Sequence, residues 1–72
     1  MNKNKLEAVM KLHGDTGTTL SQHLGMARGT FSIKLNGTNG AEFTQGEIMK
    51  IKSKYDLNSE QLSDIFFTKE VS

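Results

Sequence analysis

The chain has no cysteine, no proline and no tryptophan. The missing cysteine excludes a disulfide framework and a thiolate-held metal, so the fold must be held together by packing alone. A reducing, cytoplasmic setting suits such a chain. Aromatic residues are scarce too, one tyrosine and four phenylalanines. This is poor material for a β-sandwich, which leans on aromatic and β-branched strands, and an all-α fold is expected. No apolar run exceeds three residues, as at Ile65-Phe66-Phe67, against the roughly 18 that cross a bilayer. The amino end carries no apolar signal core, so neither a membrane chain nor an exported one is expected.

Charge of either sign is also limited. Over 72 residues the formal net charge is +1. It is unevenly spread: residues 1–41 hold five cationic and two acidic side chains, a net of +3, and residues 42–72 hold four and six, a net of −2. The front half can face phosphate, yet a binder working by phosphate neutralisation alone usually carries a larger basic excess. A chain this short supports one core, so a single domain over residues 1–67 and a frayed tail over 68–72 are expected.

What is present is helical periodicity. Leu6, Val9, Met10 and His13 recur at helical spacing and Gly14 follows as a stop, predicting a first helix from Lys3 to His13. Thr16 is placed to cap a second, with Leu20 and Leu24 one turn apart and Gly25 ending it. A third runs from Arg28 to about Leu35 with Phe31 and Leu35 stacked, closed by Asn36-Gly37. The run Asn36-Gly37-Thr38-Asn39-Gly40 reads as loop. Thr44 and Glu47 form a capping box for a fourth helix to Lys54, with Ile48, Ile51 and Tyr55 on one face. Asn58 or Ser59 starts a fifth, with Leu62, Ile65 and Phe66 as its stripe.

Residues 17–36 satisfy several spacing constraints of a helix-turn-helix at once. Leu20 and Leu24 supply a buried face, Ser21 is small enough for two helices to approach, Gly25 makes the turn, Met26 plugs it and Phe31 anchors the second helix. With Gly14-x-Thr16, Leu20-Ser21-Gln22-His23-Leu24-Gly25, Arg28-Gly29-Thr30-Phe31 and Leu35-Asn36-Gly37, this resembles the helix-turn-helix of Cro and repressor proteins of temperate phages. The likeness implies a five-helix, lambda-repressor-like bundle over nearly the whole chain. Two positions depart from that pattern. Lys34 stands where a second apolar residue usually follows the Phe31 position, and Ala27 stands where a Ser or Thr cap is common.

In members that read DNA, the exposed side of the second helix of the pair faces base edges. Carried over, that face is Ala27, Arg28, Gly29, Ser32, Ile33 and Asn36. Arg28 suits a guanine or a phosphate, or is an ordinary solvated arginine; Ser32 suits several bases, and Ile33 a thymine methyl. Lys3, Lys5, Thr16 and Thr18 are the candidate phosphate contacts. Glycine at position 29 reads nothing, so the reading surface is sparse, and the same apolar face suits a protein partner.

The whole chain is similar to the small modulator-of-repression antirepressors of lactococcal temperate phages. The Met1-Asn2-Lys3 start, the Gly14-Asp15-Thr16-Gly17-Thr18 stretch, the loop from Asn36 to Gln45 and the Ile65-Phe66-Phe67 ending carry that likeness. It implies a component of the lysogeny/lytic switch that, in the bacterial host cytoplasm, binds the DNA-binding domain of the cognate phage repressor and hides its operator-contacting surface. The alternative is a Cro-like dimer that binds operator DNA directly. Phe67, left over from the fifth stripe, is either a homodimer contact or folds back on the core.

Enzyme and cofactor readings fail on inventory. His13 and His23 fall on different helices with no recognisable ligand spacing around them. Gly37-Thr38-Asn39-Gly40 lacks the Gly-Lys-Ser/Thr ending of a phosphate loop. His13 is expected as a partly buried helix-end residue and His23 as an exposed one. The Lys50-Lys52-Lys54 run reads as a solvated helix face.

Overall fold

The computed structural model describes residues 1–67, and the expected tail at 68–72 lies outside them. The described residues form an all-α bundle of five helices and contain no strand. These are α1 (Lys3–Leu12), α2 (Gly17–Leu24), α3 (Arg28–Asn36), α4 (Gln45–Tyr55) and α5 (Ser59–Leu62).

Each helix start has a local cause. Asn2 caps α1, its Oδ1 accepting from the Lys5 amide at 3.1 Å. Thr16 caps α2 by accepting from the Thr19 amide, while the Thr19 hydroxyl accepts from the Thr16 amide. Thr44 and Glu47 exchange the same pair of bonds at α4, and Asn58 and Gln61 at α5. Each box satisfies amides that the first helical turn leaves without a partner. Ala27 gives α3 no such side-chain bond.

The ends differ from expectation by small, explicable amounts. His13 is the cap of α1 and not its last turn (φ −93°, ψ 5°); its amide reaches back to the Val9 and Met10 carbonyls, and the Gly14 amide to that of Lys11. Asn36 stays helical, and the left-handed residue that closes α3 is Gly37 alone (φ 67°). The following loop contains a short 3-10 turn, Thr38–Gly40, with Asn39 in the left-handed region (φ 54°). Tyr55, and not Lys54, ends α4. Beyond α5 the chain loosens into a π turn, Ser63–Phe67.

The stripes converge on one core. Leu6 and Met10 of α1, Leu20 and Leu24 of α2, Phe31 of α3, Ile48, Ile51 and Tyr55 of α4, and Ile65 are buried together. Phe43 and Leu57, both outside the helices, join them. Phe43 stands before α4 with its ring centroid 5.6 Å from that of Phe31 and 6.2 Å from that of Phe66. The stripe expected for the fifth helix is thinner than its spacing suggests: only Ile65 is buried, while Leu62 and Phe66 are half-buried. An Asn2 amide bond to the Ile65 carbonyl, 2.6 Å, ties the amino end to that turn.

Candidate interaction face on the third helix

The segment between α2 and α3 is Gly25-Met26-Ala27. Gly25 takes φ 73°, which a side-chain-bearing residue rarely adopts, and so turns the chain within three residues. The Met26 amide then bonds to the Ser21 carbonyl at 3.0 Å. Ser21 is buried with its hydroxyl donating to the Thr18 carbonyl at 2.9 Å, so its polar atom costs nothing between the helices. Met26 is half-buried against the core. Phe31, almost completely buried, pins α3 and determines which side faces outward.

That outward side carries Ala27, Arg28, Gly29 and Ile33, all exposed. Ile33 is 49% exposed, a large apolar side chain left in water. Arg28 makes no ion pair with a described carboxylate, and no acidic residue occurs between Asp15 and Glu42. Its guanidinium lies close over Gly17, the first residue of α2.

Of the other two residues expected on this face, Asn36 is exposed but its side chain is engaged, and Ser32 is less open. Ser32 is half-buried, and the Asn36 amide donates to its carbonyl at 2.9 Å and its hydroxyl at 3.3 Å. The Oδ1 of Asn36 in turn accepts from Lys3 Nζ at 2.7 Å. Lys3 therefore braces the end of α3 instead of standing free. Lys5 lies 3.9 Å from Asp64, an exposed pair of little energetic weight. The Thr16 hydroxyl is engaged as a cap, and Thr18 remains exposed at the start of α2.

Lys34, the departure from the apolar pattern, is accounted for by Glu47. Its Nζ donates to both carboxylate oxygens, at 2.8 and 3.0 Å, and both side chains are largely covered. Burial pushes the Glu47 carboxyl up, but Lys34 and the Thr44 amide more than offset this and hold it below its ordinary value. Leu35 packs half-buried against the core beside this pair.

A second polar cluster, not anticipated in the sequence, sits at the other end of the bundle around Asp15. Tyr55, Thr19 and Lys54 converge on its carboxylate. Lys54 is thus not part of a freely solvated face; it pairs at 3.3 Å and lies over the Tyr55 ring. His13 is exposed, and not partly buried, but its ring packs against that of Tyr55 with centroids 4.8 Å apart. His23 is exposed. Spacing signals do not reveal such a cluster, because its members come from three segments.

Phe67 does not fold back on the core: it is 62% exposed. It borders a groove of about 700 Å³ whose apolar wall includes Leu35, Phe43, Ile48 and Phe66. Among the described residues no His, Asp and Glu cluster is arranged to hold a metal. No helix among them is long and apolar enough to cross a membrane.

Compared with known proteins, the chain matches no family model, no curated protein and no solved structure.

Proposed function

We propose that this chain is a transcriptional regulator of a phage lysogeny/lytic switch, acting as an antirepressor. It grips the DNA-binding domain of its cognate phage repressor and blocks operator binding. The observation that carries this reading is the exposed Ile33, set beside Ala27, Gly29 and a single cation, Arg28. A base-reading helix needs donors and acceptors along its outer side. Here the candidate polar readers Ser32 and Asn36 are spent on each other and on Lys3. What remains is a small apolar surface with little charge, the composition of a protein interface core. The resemblance to modulator-of-repression antirepressors supplies the partner.

The arrangement also argues against phosphate as the main source of affinity. Lys3 is bonded to Asn36, Lys34 to Glu47 and Lys54 to Asp15, and Lys5 lies 3.9 Å from Asp64, so four of the eight cationic side chains among the described residues have partners within the chain. The test is a gel shift on switch-region DNA. The purified chain alone leaves the DNA unshifted, and added to a repressor–operator complex it releases the DNA. Strong, sequence-specific and steeply salt-dependent binding without repressor would replace this reading with a Cro-like operator binder.

A further inference from the structure

Arg28 is the one cation on the proposed contact face, and its position depends on a residue outside that face. Gly17 opens α2 with nothing on its Cα. A Cβ built there lies 3.0 Å from Arg28 Nε, 3.1 Å from Cζ and 3.3 Å from Nη2. Contacts this tight are uncommon for a side-chain carbon, so a methyl at position 17 makes the guanidinium give by a few tenths of an ångström, and a larger side chain there displaces it further. The φ of Gly17 is not in the left-handed region, so its backbone does not demand glycine. Glycine is also a poor opening for a helix, lacking both propensity and a side-chain contact. The local backbone therefore gives no reason for glycine here, and the neighbouring arginine does.

We infer that Gly17 is a positioning residue for Arg28: its bare Cα lets the guanidinium lie across the start of α2. This rests on the functional reading above and adds a determinant to it. An arginine on a flexible stem loses rotamer freedom when it binds, and one already laid against the protein loses less. Gly17 lowers that loss without touching the partner. A branched side chain at position 17 pushes the guanidinium off the start of α2, and position 17 is not part of the buried core.

The test uses the full chain and four variants: Gly17→Ala, Gly17→Val, Arg28→Ala and the double variant Gly17→Val/Arg28→Ala. In the free protein, nuclear Overhauser contacts join the Arg28 side chain to the Gly17 α-protons, and in Gly17→Val the arginine shows none to residue 17. With the repressor's DNA-binding domain, Arg28→Ala weakens binding about tenfold, Gly17→Ala less and Gly17→Val nearly as much as Arg28→Ala. The double variant is no weaker than Arg28→Ala alone, since the glycine acts only through the arginine. Unchanged melting temperatures exclude a merely structural effect. The inference is overturned if the free protein lacks the contact, if Gly17→Val binds like wild type, if Arg28→Ala does, or if the two losses multiply. Failure of every variant and of wild type to bind repressor overturns the antirepressor reading instead, and the contact in the free protein still decides whether Gly17 holds Arg28.

Discussion

The hydroxyl of Tyr55 donates a 2.6 Å hydrogen bond to Oδ2 of Asp15, across 40 positions of sequence. It joins the last residue of α4 to the loop that feeds α2, so the element carrying the cap of α2 is held to the core helix. Thr19 donates to the other carboxylate oxygen at 2.8 Å, and Lys54 pairs with Oδ2. The orientation of the α2–α3 pair is thereby referred to α4 at both ends, through Asp15 at one and through Lys34 and Glu47 at the other.

This cluster gives stability a definite pH dependence. The Tyr55 hydroxyl, aided by Thr19 and Lys54, holds Asp15 below its ordinary value of 3.8 against the opposing effect of burial. A depressed carboxyl contributes stability that is present above the unfolded value and lost as pH falls through the folded one. Glu47 adds to the same limb. Denaturant unfolding below about pH 4 shows a falling acid limb, and Asp15→Asn flattens it. Tyr55→Phe costs about 1–2 kcal/mol at neutral pH, the scale of a hydrogen bond to a charged group. The Tyr55 hydroxyl is pushed well above its ordinary value, first by burial and then by Asp15. Its share of stability is therefore kept below pH ~10 and lost above it.

Glu47 serves two purposes, accepting from the Thr44 amide and pairing with Lys34. Glu47→Ala removes both and costs about 1–2 kcal/mol, read from urea midpoints. Glu47→Gln retains an acceptor for the cap and loses less. Equal losses would mean that the cap contributes nothing.

Phe31→Ala tests the core. The ring is almost fully buried and packs against Phe43, so its removal costs about 3–5 kcal/mol, a large share of what a domain of this size holds. A variant with near wild-type melting would contradict the packing.

Ile33→Asp leaves the fold intact, because the side chain is already half in water, and abolishes repressor binding. Circular dichroism and a pull-down on the repressor's DNA-binding domain report the two halves. Unchanged affinity removes Ile33 from the interface.

Gly29→Ala separates stability from contact. A Cβ at Gly29 meets nothing within 4 Å, so alanine raises stability by up to about 1 kcal/mol through helix propensity. The added methyl stands on the contact face, and affinity for the repressor falls. A more stable variant with unchanged affinity places the partner away from the start of α3.

Helix starts were legible in the chain itself because capping is local: Thr16, Thr44 and Glu47 act within a single turn, and so do the periodic stripes of Leu20, Leu24, Phe31, Ile48 and Ile51. The exposure of Ile33 followed from the same periodicity once Phe31 faced inward. Sequence spacing determined, in this way, which residues form five helices and which side each turns to the core. Only the tertiary structure decided the polar partnerships. Asp15 with Tyr55, Lys34 with Glu47, Lys3 with Asn36 and Arg28 over Gly17 join residues on different segments. Phe43 and Leu57 entered the core from outside any helix for the same reason. Helical periodicity describes one element at a time, whereas these contacts depend on how the elements approach, and that distance is not encoded in any single window of residues.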